Sequence, residues 1–231
     1  MKTVFVLFDS LNRLALGAYG GTAIATPNFD RFAQKAVTFD KHYVGSLPCM
    51  PARRDMHTGR LNFMHRHWGP LEPFDDSFAR TLSKNGVYTH LISDHLHYFE
   101  EGGWGYANAY DSFDYIKGQE YDALKVLVSP PIERYKEKFD NRHYAFDRLP
   151  QTANLTRGNS DAMAWKKSRA AVSRDFLKEE ADFPTAKCFS AAFEFLDLNT
   201  KANDWFLQLE CFDPHEPFVA PERFKEAYDS G

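Results

Sequence analysis

The chain has 231 residues, 43% hydrophobic, 26% charged and 16% aromatic, with a formal net charge of -4. That length and apolar fraction suit one or two domains with a real core, and 21 Phe, 11 Tyr and 4 Trp argue against disorder. No apolar run reaches the roughly 18 residues of a membrane span, and the slightly acidic balance argues against a polyanion-binding surface. Neither a membrane nor nucleic acid is therefore expected as a partner. Cys49, Cys188 and Cys211 are too few and too scattered for a disulfide framework or a thiolate zinc site. The N-terminal MKTVFVLFDS interrupts its apolar run with Asp9, where a signal peptide would continue, so the expected location is the cytoplasm.

In chain order, Val4–Phe8 is a short apolar run giving way to Asp9, Ser10 and Asn12. It predicts a strand buried on both faces of a parallel sheet, with polar groups at its C-terminal edge. Thr26–Ala36 predicts a helix capped by Thr26, with Pro27 at the first position and Phe29, Phe32, Ala33 and Ala36 on one face. Pro48–Arg60 reads as a loop entering a second helix, and Ser77–Asn85 as a short helix closed by Gly86 in the left-handed conformation. Val87–Ile92 predicts a strand that ends among Ser93, Asp94, His95 and His97.

The stretch from about 102 to 150 has no clear periodicity and reads as an irregular excursion from the sheet. Ser160–Glu180 and Ala186–Leu198 predict long helices, the second with Phe189, Ala192, Phe193 and Leu196 on one face. Trp205–Phe212 predicts a further strand, ending in Asp213-Pro214-His215-Glu216-Pro217. The final RFKEAYDSG stops without closing an element, as in a fragment. Alternating strands and helices indicate an α/β fold with a mainly parallel sheet flanked by helices. Ligands in such sheets bind beyond the carboxyl ends of the strands, and three predicted strand ends carry Asp9, the pair His95 and His97, and His215.

Cys49-Met50-Pro51-Ala52-Arg53 is the sharpest local signal. A cysteine at the start of a helix sits where backbone N–H groups favour an anion, and Arg53 suits bidentate contact with a tetrahedral oxyanion. On these residues alone the commoner reading is a small buried cysteine at a loop–helix junction.

This motif, with Thr58-Gly59-Arg60 after it, resembles the signature of the type I sulfatases of the alkaline phosphatase superfamily. Val4-Phe5-Val6-Leu7-Phe8-Asp9 resembles that family's first strand, Thr26-Pro27-Asn28-Phe29-Asp30-Arg31-Phe32-Ala33 its TPN-x-D-x-x-A helix, and Asp213-Pro214-His215-Glu216-Pro217-Phe218 its DPHEPW segment. The four occur in the family's order.

The resemblance implies a sulfuric ester hydrolase in which Cys49 is oxidised to Cα-formylglycine by a formylglycine-generating enzyme that also reads Pro51 and Arg53. The hydrated aldehyde attacks sulfur, and its second hydroxyl then expels sulfate. It also implies a divalent cation, calcium by preference over Mn2+ or Mg2+, and a sulfated small molecule or glycan as substrate. Cys49, Arg53, His95, His97 and His215 are assigned to catalysis, with His215 protonating the leaving group. Asp9, Ser10 and Cys49 are assigned to the metal.

The chain departs from the family pattern in three places. Ser10 stands where a second aspartate is usual. His95-x-His97 replaces Lys-x-His, which makes the anion site weaker or pH-dependent. The family's later Asp-Asn or Asp-His metal pair and its downstream lysine have no counterpart, Asp229 lying in the terminal tail. The expectation is thus the N-terminal part, residues 1–231, of a larger catalytic domain, with half a metal site. Two rival readings follow: a phosphonate monoester or phosphodiester hydrolase on the same scaffold, and a catalytically incomplete fragment.

Other residues take structural readings. Asp213 reads as a turn starter; His65-Arg66-His67 as substrate-facing or structural rather than metal-binding; and Cys188 as core. Arg54 and His57 stand behind the nucleophile on its helix. Lys166 and Lys167 read as a solvated helix face.

Overall fold

A computed structural model describes residues 1–64, 66–102, 105–149, 158 and 161–228. In chain order its regular elements are β1 (Lys2–Phe8), α1 (Pro27–Ala33), α2 (Cys49–Thr58), α3 (Phe78–Lys84), β2 (Tyr88–Ser93), β3 (Ser112–Tyr115), α4 (Ile132–Lys138), α5 (Asn141–Tyr144), α6 (Ala162–Asp175), α7 (Pro184–Leu198), β4 (Trp205–Cys211) and α8 (Glu222–Glu226). The strands form one parallel sheet in the order β1-β4-β2-β3, with Val4 opposite Leu207 and Ile92 opposite Leu209. Among the described residues no helix is long and apolar enough to cross a membrane.

Side chains alternate along a strand, and β4 uses the alternation to separate two kinds of packing. Leu207, Leu209 and Cys211 join Ile92, Cys188 and Ala192 in a core beneath α7. Phe206 packs on the opposite face, toward Met50 of α2, Ala79 of α3 and Leu91. Gln208 and Glu210 share the Phe206 face and are fully buried, so the α2 side of the sheet carries polar groups that need partners. Cys188 lies in the core as expected.

The α/β class, the parallel sheet and most predicted elements are present, and Gly86 is left-handed at φ 81°. Several local expectations are corrected. β1 is not buried on both faces: Val4 is 47% and Val6 41% exposed, because β1 is an edge strand that α7 meets, among the described residues, at Phe8. α1 stops at Ala33, and Thr26 does not cap it. The Thr26 hydroxyl instead accepts from the Gly17 N–H and donates to Asp30. Phe32 and Phe193, expected on apolar faces, are exposed; α7 turns Cys188 and Ala192 to the sheet.

The predicted helix Ser160–Glu180 is shorter, because Asp161 caps α6 by accepting from the Ala164 N–H and a separate turn follows at Glu180–Asp182. Ser160 lies outside the described residues. The stretch read as irregular contributes β3, paired parallel with β2. It also holds α4 and α5, whose Tyr135 and Tyr144 pack with Phe146 against Ala164 and Val172 of α6. The four-residue strand Ser-Phe-Asp-Tyr alternates polar and aromatic residues, but it is at the shortest length at which alternation marks a strand and does not stand out from a loop.

Leu207 has no exposure and sits in the central strand. Leu207→Ala is expected to cost roughly 2–5 kcal/mol in urea unfolding, whereas truncation of the exposed Phe32 should change stability by under about 0.5 kcal/mol.

Candidate active site

The α2 N-terminus and the C-terminal ends of β1, β2 and β4 converge on one buried charge cluster. β1 delivers Asp9, 5% exposed, and then Ser10, whose φ of 53° holds a non-glycine residue in the left-handed region. The Ser10 hydroxyl donates to Asp9 Oδ1 at 2.8 Å. Arg53 lies one helical turn after Cys49, on the same side of α2. It donates through Nη2 to Asp9 Oδ2 at 2.8 Å and to Glu210 Oε1 at 2.7 Å, and through Nε to the same Glu210 oxygen at 2.9 Å. Its Nη1 reaches the Cys49 carbonyl at 3.4 Å.

Glu210 also binds His95 Nδ1 at 3.0 Å through Oε1, and through Oε2 accepts from the Tyr98 hydroxyl at 2.7 Å and Gln208 Nε2 at 3.0 Å. Burial by itself would raise the Glu210 carboxyl, but Arg53, His95 and Tyr98 outweigh it and hold the group below the usual carboxylate range. Burial would likewise weaken the Arg53 charge, which Glu210, Tyr98 and Asp9 reinforce. For His95, burial dominates over the attraction of Glu210 and lowers its pKa. The imidazole is thus neutral at pH 7, and it does not replace the charge of the family's lysine. With Nδ1 facing a carboxylate, the proton belongs on Nδ1 and Nε2 is an acceptor. His95 Nε2 is buried and has no hydrogen-bond partner among the described residues.

Cys49 Sγ and donor nitrogens of His95 and His97 lie within 4.8 Å of one another. His97 stands between two carboxylates, Nδ1 at 2.8 Å from Glu100 and Nε2 at 3.2 Å from Glu120. His215 does not join this trio directly. Its ring stacks on Phe212 at 4.2 Å, and Phe212 in turn contacts His95 at 5.0 Å and His97 at 6.4 Å. The Phe212 N–H donates to Asp94 Oδ1 at 2.7 Å; burial pushes Asp94 well above the usual carboxylate range.

The donor set fits a hard cation in kind but not in number. Asp9 and Ser10 offer oxygens, as a hard cation requires, yet calcium takes six to eight and Arg53 already engages one Asp9 oxygen. The Cys49, His95 and His97 trio is a nitrogen and sulfur set, which suits softer metals.

The structure thus gathers Asp9, Ser10, Cys49, Arg53, His95 and His97, with His215 connected through Phe212. Sequence reasoning missed Glu210, Tyr98, Glu120 and Phe212. Glu210 was detectable: Gln208 and Glu210, two apart inside an apolar strand, mark a polar stripe on one face. Asp213 accepts from Gln119 and from the Thr185 hydroxyl at 2.6 Å, so it ties β4 to α7 rather than facing the trio. Arg54 is engaged by Asp75 at 2.6 and 2.9 Å and Asn62 at 3.2 Å. His57 is buried between Phe78, Tyr106 and Tyr110 with Nδ1 on Ser77 at 3.0 Å. Both hold α2 in place from behind. His65 and Asp229 lie outside the described residues.

The profile of the family described as Sulfatase matches residues 2–231. The chain is 25% identical over 232 residues to iduronate 2-sulfatase of Homo sapiens, covering 99% of this chain and 38% of that one. Its fold is similar to that in the crystal structure of Ps i-CgsB in complex with k-i-k-neocarrahexaose, with a TM-score of 0.60, 18% identity, and coverage of 98% and 48%. It is also similar to the phosphonate monoester hydrolase SpPMH from Silicibacter pomeroyi, with a TM-score of 0.59, 22% identity, and coverage of 99% and 44%. The chain spans about two fifths of the length of the curated relatives it matches.

Glu210→Gln leaves Arg53 with one carboxylate in place of two; it is expected to cost roughly 3 kcal/mol or more in urea unfolding at pH 7, and a loss under about 1 kcal/mol would show the network to be dispensable. Burial lowers the His57 pKa from its ordinary 6.5 to about 4. Between those values the unfolded chain holds more protons than the folded one, so the His57 contribution is complete above pH 6.5 and lost as pH falls toward 4. His57→Gln should therefore flatten the acid side of the stability profile across that window, measured by urea titrations at stepped pH.

Proposed function

Because this chain belongs to the sulfatase family, we propose that it carries the nucleophile and anion-binding part of a sulfuric ester hydrolase centre, with Cys49 the residue that becomes the nucleophile. The observation that carries this reading is the position of Cys49: at the start of α2, against the buried Arg53, within 4.8 Å of His95 and His97. An unmodified thiol suits the task poorly. Burial, with Asp9 adding to it, outweighs Arg53 and the Met50 N–H and pushes the thiol up to about 12, so little thiolate exists at neutral pH. Conversion to Cα-formylglycine would supply a hydrated aldehyde, one hydroxyl to attack sulfur and the other to expel sulfate. Pro51 and Arg53 are buried in the folded chain, so a formylglycine-generating enzyme reading them acts before α2 packs.

The surrounding residues take separate roles. Arg53, fixed by Asp9 and Glu210, provides positive charge beside residue 49 for the sulfate oxygens. His95 Nε2 accepts a hydrogen bond from a hydroxyl on residue 49, and Glu210 holds its ring in that tautomer. His97 borders the leaving-group side, and His215 is the candidate to protonate the departing alcohol. Asp9 and Ser10 would be this chain's oxygen ligands to a divalent cation, calcium by preference, which when bound polarises the nucleophile and offsets sulfate charge. A sulfated sugar is the substrate class supported by the similarity to a relative named iduronate 2-sulfatase.

A second reading, hydrolysis of phosphonate monoesters or phosphodiesters, draws on the neutral His95 where a lysine is usual and on the likeness to a phosphonate monoester hydrolase. After co-expression with a formylglycine-generating enzyme, peptide mass spectrometry should find the aldehyde at position 49. In the complete protein, Cys49→Ala should remove aryl sulfate turnover by several orders of magnitude. Only unmodified thiol, or turnover surviving the substitution, would remove Cys49 from the mechanism; phosphonate esters preferred by orders of magnitude over aryl sulfate would install the second reading.

A further inference from the structure

Next to His97 the chain opens a cleft of about 910 Å3. It begins where the Cys49, His95 and His97 cluster ends. Trp68, on its wall, meets the His97 ring edge-on at 4.8 Å, and Glu100, also on its wall, is bonded to His97 Nδ1. The opposite wall is α6, which contributes Trp165, Lys166 and Arg169, and Lys117 enters from the segment after β3.

The charges in this cleft are unevenly satisfied. Glu100 is held by His97. Asp122 is buried and accepts from the backbone N–H groups of Gly118 and Glu120. Lys117, Lys166 and Arg169 make no ion pair with any described residue, and the Arg169 guanidinium rests over the Trp165 ring at 4.5 Å. Lys166 and Arg169 are only partly exposed and lie three residues apart on one side of the helix. Lys166, expected to belong to a plain solvated face, is instead part of a cleft wall close enough to bias Glu100 toward its charged form. Three cations without a carboxylate partner among the described residues, set among aromatic rings in a cavity of ligand size, call for an anion carried on a ring with an apolar face.

We propose that this cleft binds the alcohol half of the ester through a second anionic group on a sugar ring, either a carboxylate or a second sulfate. The proposal rests on the reading of Cys49 as the reacting centre, since that places the ester's sulfate on one side of His97 and the sugar on the other. The ring stacks against Trp68 or Trp165, and Lys166 with Arg169 receives the anion by charge-assisted hydrogen bonds.

Calorimetric titration of the full 231-residue chain tests this with two ligand pairs. D-Glucosamine 2-N,6-O-disulfate is compared with D-glucosamine 6-O-sulfate, and D-glucuronate 2-sulfate with D-glucose 2-sulfate. In at least one pair the doubly anionic ligand should bind roughly tenfold more tightly, and the pair that responds identifies the second anion. The advantage should vanish in Lys166→Gln/Arg169→Gln and fall about threefold in Lys117→Gln, which leaves α6 untouched. Equal binding within both pairs, or an advantage that survives all three substitutions, overturns the subsite. The titrations are repeated in Cys49→Ala. An advantage kept there supports the cleft, and absence of sulfate ester turnover by the complete unsubstituted protein, with Cys49 converted to the aldehyde, overturns the hydrolase reading alone. Sulfate ester turnover with equal binding overturns the cleft alone.

Discussion

An arginine only 5% exposed to solvent must have its charge answered by the protein, and Arg53 is in that position. Its partners, Asp9 and Glu210, come from adjacent parallel strands, β1 and β4, so α2 can dock only where both strand ends present a carboxylate. Docking α2 there also sets Cys49, one turn earlier, at the mouth of the cluster. The position of the proposed nucleophile thus follows from a buried ion triad rather than from the cysteine's own contacts.

Glu210 extends the constraint to β2. The same carboxylate oxygen that receives Arg53 also receives His95, and the other oxygen receives Tyr98. One buried side chain therefore ties the helix, the strand ends and the histidine segment into a single arrangement, with five hydrogen bonds saturating it. A network so completely satisfied has one low-energy geometry, which is the preorganisation that the proposed reading requires. His95 enters this network as a neutral ring, a hydrogen-bonding rather than a charged partner.

His97 marks a division of labour. On its inner side lie Cys49 and His95; on its outer side Trp68 and Glu100 begin the cleft that α6 completes. The inner cluster is built from the strand ends and the start of α2, tied together through Glu210. The outer cleft is built from the excursion and α6, whose small tyrosine-rich core packs apart from the sheet. Segments outside the sheet can vary without disturbing the ion triad, and substrate selection in the proposed reading sits there.

The α/β class, the parallel sheet, the α2 motif and the six residues gathered at the strand ends were legible in the amino-acid sequence. Apolar runs that end in Asp or His are local signals that need no knowledge of neighbours, whereas Cys-x-Pro-x-Arg at a helix start took its reading from the family resemblance. Glu210 was half legible, as a polar residue recurring with Gln208 inside an apolar strand, but its partners were not. Which side chain answers a buried charge depends on strand order, and β4 lies between β1 and β2 although it comes last in the chain. The neutral state of His95, the edge exposure of Val4 and Val6, the pairing of β3 and the cleft along α6 were likewise decided by tertiary structure. Each depends on burial or on contacts between residues far apart in the chain, and local periodicity carries no information about either.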